Sequence, residues 1–145
     1  MKCVIKPFNA LNVDELYEIL RLRSEVFVLE QTCLYQDMDG IDKDSIHLYI
    51  EDHGVVACAR LFERNAHTMQ LGRLCTKYRA RGYGKIIVME AINKCRESGY
   101  DSIYIEAQEY AIPFYEKFGF YTISKVFLED GIPHVKMVLK ISEKT

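Results

Sequence analysis

Residues 79 to 85 gather Arg79, Arg81, Gly82, Gly84 and Lys85 into one short stretch, with Ala80 and Tyr83 between them. Basic side chains beside glycines suit an anion, most simply a phosphate or a diphosphate. The run from Thr68 to Thr76 reads as a strand leading into this turn. Beyond it, Ile87, Val88, Ala91, Ile92 and Cys95 repeat at helical spacing. A helix that starts here points its unpaired N–H groups and the positive end of its dipole at the same anion. Gly82 and Gly84 remove side-chain bulk, so phosphate oxygens can approach the backbone. Taken alone, a two-glycine turn also fits a basic, solvated helix entry.

Two commoner phosphate motifs are excluded. A P-loop needs a Ser or Thr after its lysine, and Ile86 stands there. A dinucleotide fingerprint needs a third glycine, and Ile87 occupies its place. Other candidates are weaker. Asp37 and Asp39-Gly40 resemble a calcium loop, but Tyr35 and Ile46 fall where its first and last ligands belong, so a turn shaping an entrance is expected. His47, His53, His67 and His134 have no metal-ligand spacing, and no metal is expected. Cys75 lies next to the turn with no histidine nearby in sequence, which reads as an inert buried thiol.

The elements that must position these residues follow from periodicity. A short strand, Cys3 to Lys6, closes at Pro7. Asn12 and Glu15 form a capping box for a helix through Leu16, Ile19, Leu20, Val26 and Phe27, whose apolar stripe drifts near Arg21 to Ser24. Gln31 to Ser45, with four aspartates, is a loop. Ile46 to Glu51 and Val55 to Phe62 read as a hairpin around Asp52, His53 and Gly54. After the strand from Thr68 to Thr76 and the turn comes the second helix, capped by Gly99, with Lys94 and Arg96 complementing its dipole. Ser102 to Ala107 is a strand, Ile112 to Phe118 a short helix ended by Gly119. Phe120 to Leu128 and Ile132 to Lys140 form a last hairpin across Glu129, Asp130 and Gly131. This order predicts an α/β protein with a mixed sheet.

A chain of 145 residues suits one domain, 1–145. With 49% hydrophobic residues and a net charge of −2, nothing global draws it to nucleic acid. No apolar run is long enough to span a membrane, and the first residues lack a signal-peptide stretch. Five scattered cysteines point to reduced thiols and a cytoplasmic setting.

The Arg-x-x-Gly-x-Gly pattern of Arg79, Gly82 and Gly84, after a strand and before a helix, resembles the acetyl-CoA signature of the GNAT superfamily of N-acetyltransferases. The segment from Gln108 through Tyr115, Glu116, Lys117, Gly119 and Phe120 resembles the family's later strand-to-helix block. Leu22, Arg23, Val26, Phe27, Glu30 and Gln31, the stretch from Tyr35 to Leu48, Gly72-Arg73 and Gly131 to His134 are similar to the ElaA-like branch.

This resemblance implies an α/β fold with a mixed, mostly antiparallel central sheet flanked by helices on both faces, and transfer of an acetyl group from acetyl-CoA to a primary amine by direct attack in a ternary complex. It implies that Leu74, Cys75 and Thr76 bond the pantetheine arm through their backbone, as an added strand would. It assigns the pyrophosphate to Arg79, Arg81, Gly82, Tyr83, Gly84 and Lys85. Gln108 replaces the family's usual asparagine at a CoA contact, with Ala111 close behind it. Tyr115 maps to the tyrosine near the thioester sulfur, although it also suits an aromatic patch with Phe114, Phe118 and Phe120. Glu30 is the candidate base and Glu106 a second; Glu30 alternatively pairs with Arg73. Arg73 and His134 are candidate acceptor contacts, and a strand-edge structural role suits His134 equally. The alternatives are a CoA-binding regulatory module without catalysis and a transferase for a longer acyl donor. The amine is not specified by the sequence, and the oligomeric state, a homodimer included, is left open.

Overall fold

Helix formation begins where the capping residues predict. In α1 (Val13–Arg23), the Asn12 side chain accepts from the Glu15 N–H at 2.8 Å and Glu15 accepts from the Asn12 N–H at 2.9 Å. Glu15 also binds Lys6 at 2.9 Å and the Tyr49 hydroxyl, tying the helix start to two strands. The Tyr49 hydrogen bond leads in holding the Glu15 carboxyl down to about 2. The computed structural model describes residues 2–141; Met1 and 142–145, the ends of the expected 1–145 domain, lie outside the described residues.

The strands are β1 (Cys3–Pro7), β2 (Ile46–Glu51), β3 (Val55–Asn65), β4 (Thr68–Thr76), β5 (Ser102–Gln108), β6 (Tyr121–Thr122), β7 (Phe127–Glu129) and β8 (Ile132–Lys140). They form one mixed, mostly antiparallel sheet in the order β1-β2-β3-β4-β5-β8-β6, with β7 also on β8. The helices are α1, α2 (Tyr83–Glu97) and α3 (Ile112–Glu116). By internal contacts, residues 2–62 with 72–91 make one unit and 63–71 with 92–141 another.

In the first unit, β1 and β2 pair antiparallel from Cys3↔Ile50 to Pro7↔Ile46, and β2 pairs with β3 from Ile46↔Leu61 onward. Ile19, Leu22, Val26 and Phe27 bury against Tyr49, Val55, Cys58 and Cys75. The drift in the apolar stripe has a physical cause. From Ser24 to Glu30 the helix adopts π winding, closed by Gln31 N–H to the Val26 carbonyl at 3.1 Å. Val26 and Phe27 stay on the buried side through this change of winding.

In the second unit, β4 and β5 pair parallel over Thr68↔Ser102 to Gln70↔Tyr104. Strand β5 then pairs with β8 along its whole length, from Ser102↔Lys140 to Gln108↔His134. Helix α2 ends in a Schellman motif: Tyr100 N–H reaches the Cys95 carbonyl at 3.0 Å, and Gly99 N–H reaches Arg96 at 3.2 Å. The last hairpin departs from expectation. Its first arm breaks into β6 and β7, and the register against β8 shifts by two residues between Thr122↔Met137 and Phe127↔His134. The Ser124 hydroxyl accepts the Lys136 N–H at 2.9 Å across the break, doing what a strand carbonyl would. Asp130 and Gly131 both take positive φ (51° and 75°), as a two-residue hairpin turn requires.

Candidate functional site

The basic turn is built for approach from outside. Ala80 and Gly82 have φ of 58° and 77°, so left-handed residues alternate with ordinary ones, the alternation from which anion-binding N–H nests are made. A Cβ on Gly82 would meet nothing within 4 Å, so conformation, not crowding within the chain, demands glycine there. The Gly82 carbonyl accepts from Ile86 N–H at 3.2 Å, which starts α2 directly behind the turn. Arg79, Arg81, Gly82 and Lys85 are exposed. Arg81 stacks on Tyr78 with 4.4 Å from guanidinium to ring centre. Tyr83 is different: its ring is buried and its hydroxyl donates to Asp52 at 2.9 Å. Its side chain anchors the turn to the loop between β2 and β3, leaving only its backbone to face a ligand.

Strand β4 carries Leu74, Cys75 and Thr76 up to the turn, and Lys77 N–H bonds the Val56 carbonyl at 2.7 Å. The Cys75 thiol is buried 3.6 Å from the Cys58 thiol. Their shared S–H contact, and then burial, push Cys75 well above the ordinary thiol range, so a thiolate nucleophile is disfavoured. Just upstream, Arg73 is left-handed at φ 52°, a strained state for a non-glycine residue.

What holds Arg73 is a feature that sequence reasoning missed. Arg73 donates to Asp37 at 2.8 Å and reaches Asp39 at 3.4 Å. Asp39 binds Arg60 at 2.7 Å, and Arg60 reaches Asp42 at 3.1 Å. Asp42 binds Arg23 at 2.7 Å, and Arg23 returns to Asp37 at 2.9 Å. Three arginines and three aspartates thus close a ring in which each charge touches two opposite ones. Arg23 is 1% exposed. His47 contacts the Asp42 carbonyl at 2.8 Å, and burial holds its imidazole below the ordinary range, favouring the neutral ring. Arg60 leads in holding Asp39 down to about 2. Burial pulls Asp42 the other way, but Arg23 and Arg60 lower it on balance. The aspartates that suggested a calcium loop are therefore engaged by arginine. The alternative pairing of Arg73 with Glu30 is replaced by Asp37 and Asp39, and Glu30 is exposed at the end of the π-helical segment.

In the second unit, Gln108 ends β5 opposite His134, and a 3-10 turn from Glu109 to Ala111 leads into α3. Tyr115 is half-buried, edge-on to Phe114 (5.1 Å between centres) and Phe120 (5.6 Å). Burial, aided by Tyr110, raises its phenol above the usual range. The aromatic patch therefore exists and Tyr115 belongs to it. Glu106 accepts from Tyr104 at 2.8 Å. His134 is held at both ring nitrogens, by the Ile132 carbonyl at 2.7 Å and Glu129 at 3.5 Å, and it stacks on Phe127. Among the described residues, no three His, Cys, Asp or Glu side chains group as metal ligands, and no helix is long and apolar enough to cross a membrane.

A strand, a left-handed basic turn and a helix, within this sheet order, define an acyltransferase fold, and comparison with known proteins agrees. The chain belongs to the acetyltransferase (GNAT) domain family, whose model matches residues 13–141. It falls in the ElaA-like branch: the crystal structure of Escherichia coli ElaA superposes with a TM-score of 0.88 at 32% identity, covering 95% of this chain and 98% of that one. An acyl-CoA N-acyltransferase from Pseudomonas aeruginosa superposes at 0.89 with 34% identity, covering 96% and 99%. A UPF0039 protein of Schizosaccharomyces pombe is 39% identical over 147 residues, 97% of this chain and 98% of its own length.

Proposed function

We propose that this protein transfers the acetyl group of acetyl-CoA to a primary amine by direct attack. The observation that carries this reading is the turn at Ala80 to Gly82, left-handed, open and flanked by exposed Arg79, Arg81 and Lys85, at the start of α2 in a chain of the GNAT family. The turn's N–H groups and three cations suit a pyrophosphate without rearrangement. The backbone of Leu74, Cys75 and Thr76 serves the pantetheine arm, and Gln108 with Ala111 contributes further contacts. Bound acetyl-CoA supplies an activated acyl group, and the chain's task is to hold amine and thioester in attack geometry.

Tyr115 acts toward the departing sulfur as a hydrogen-bond donor. An ordinary phenol gives its proton to a thiolate uphill by about 2 kcal/mol, and burial raises the Tyr115 phenol further. Donation without full transfer is the role that fits. The need for a base depends on the amine. At neutral pH an α-amino group costs about 1 kcal/mol to deprotonate and a lysine about 4 to 5. Glu30 is exposed and able to serve as a solvent-connected base for the easier case. Arg73 acts through the ring, and His134 through the end of the β7–β8 hairpin. Cys3, Cys58, Cys75 and Cys95, as reduced thiols, suit a cytoplasmic setting.

The experiment is a thermal shift with CoA followed by thiol release from acetyl-CoA across amine classes. Stabilisation by CoA together with amine-dependent release is the expected outcome. Absence of a shift at millimolar CoA defeats the proposal. A shift without release for any amine or acyl length makes the protein a CoA-binding module instead.

A further inference from the structure

Helix α1 and the π-helical segment turn one face to the core and the opposite face to an open groove. The groove holds about 450 Å³ and is lined by Tyr17, Leu20, Arg21, Ser24, Glu25, Leu29 and Met38. That is the size of a small-molecule site. Its wall is apolar in an unusual way for a helix surface: Tyr17, Leu29 and Met38 are 68%, 73% and 56% exposed. Into this wall reaches one carboxylate whose charged neighbour, Arg21, acts on it through the field and not through a hydrogen bond. The Oε2 atom of Glu25 is buried with no hydrogen-bond partner among the described residues. Arg21, the neighbouring cation, is already committed, donating to both oxygens of Glu18 at 2.9 and 3.2 Å. A buried, unsatisfied carboxylate oxygen is costly and rare, so its presence asks for a donor.

Along the chain, the groove is linked through Met38 to the segment that is fastened ahead of β4. Met38 sits between Asp37 and Asp39, the two residues that bind Arg73 immediately before Leu74 to Thr76. On the helix side, the Glu18 carboxyl is lowered chiefly by Arg21 and more weakly by Lys77, the residue that follows β4.

We infer that this groove binds the acceptor, a small primary amine on an apolar body, with its ammonium on Glu25 and its hydrocarbon against Tyr17, Leu20, Leu29 and Met38. The inference deepens the transferase reading and rests on it for the word acceptor. The carboxylate selects charge through a charge-assisted hydrogen bond, and the flexible Met38 adapts to the shape of the body. Polyamines and aminoglycosides, carrying many charges and little apolar surface, fit this wall poorly.

The test uses the full chain without CoA and three probes: 2-phenylethylamine, its neutral counterpart 2-phenylethanol, and ethanolamine, which lacks the apolar body. Calorimetric titration should find the arylalkyl amine bound at least tenfold tighter than either of the others. Glu25→Gln should erase the preference for amine over alcohol while the thermal midpoint changes little, because Oε2 makes no hydrogen bond for the substitution to break. Leu29→Ser, at an exposed position, should weaken both phenyl probes several-fold. Equal binding of amine and alcohol, or an amine preference that survives in Glu25→Gln, overturns the inference. Thiol release then separates the two readings. If CoA neither binds nor reacts while the amine preference holds, the transferase reading falls and the groove stands as an amine site. If acetyl-CoA is turned over with 2-phenylethylamine equally by wild type and Glu25→Gln, the groove is not the acceptor site.

Discussion

The basic turn and the arginine–aspartate ring lie in the same unit, yet they are built in opposite ways. The turn's residues are contiguous, exposed and of one sign, with Arg79, Arg81 and Lys85 facing solvent. The ring's residues come from positions 23, 37, 39, 42, 60 and 73, and their charges cancel in alternation. Like charges in water stay available for an outside anion. Opposite charges out of water are consumed by one another, and their cost of burial is offset only while every partner is present. We therefore propose one region as a binding element and the other as a fastening element, which secures the 31–45 loop and the left-handed Arg73 ahead of Leu74 to Thr76.

The strongest test of that division is Arg23→Ala. It leaves Asp37 and Asp42 each short of a partner and should cost about 3–5 kcal/mol of unfolding free energy in urea titration. A loss below 1 kcal/mol would mean that the ring is not a fastening element. The reverse test is Gly82→Val. A β-branched residue at φ 77° should cost about 1–2 kcal/mol of local strain and weaken CoA at least tenfold, read as a lost thermal shift on a folded protein. If CoA binding is unchanged, the turn is an ordinary helix entry.

Tyr115→Phe separates binding from chemistry. It should lower kcat about tenfold or more with CoA affinity little changed. Equal losses in both would leave Tyr115 with a binding role in the aromatic patch.

The smallest effect is in pH. Asp39 and Asp42 have carboxyls lowered in the folded state. Groups of this sign stabilise fully above their unfolded value near ~3.9 and lose that contribution as pH falls through the folded value, about 2 for Asp39. The thermal midpoint should stay level from pH 7 to about 5 and fall between about 4 and 2. In Asp39→Asn the fall should be shallower, with a lower plateau at neutral pH. An unchanged slope would remove Asp39 from the ring's acid response.

Much of this architecture was legible along the chain. Asn12 and Glu15 announced the start of α1, and the strand from Thr68 to Thr76 was placed at its observed bounds. These features rest on interactions within a few residues, so periodicity and capping chemistry express them. The π winding at Ser24–Glu30 left only a drift in the apolar stripe, because Val26 and Phe27 keep helical spacing from Ile19 and Leu22, and that spacing does not report a switch from i−4 to i−5 bonding. The break between β6 and β7 depends on a hydroxyl twelve residues from its partner, Ser124 to Lys136. Ion pairs have no periodicity at all. Asp37, Asp39 and Asp42 looked like loop residues or calcium ligands because their arginines lie 14 to 36 residues away.

The sequence by itself determined the order of elements, the family and the place of the basic turn, since each is written in neighbouring residues whose backbone preferences add locally. Only the tertiary structure decided which charges remain available and which are spent. It closed Arg23, Arg60 and Arg73 against three aspartates, turned Tyr83 to Asp52, and left an oxygen of Glu25 without a donor. Coulomb and hydrogen-bond partners are assigned by distance in space, and chain separation carries almost no information about that distance once the sheet has folded.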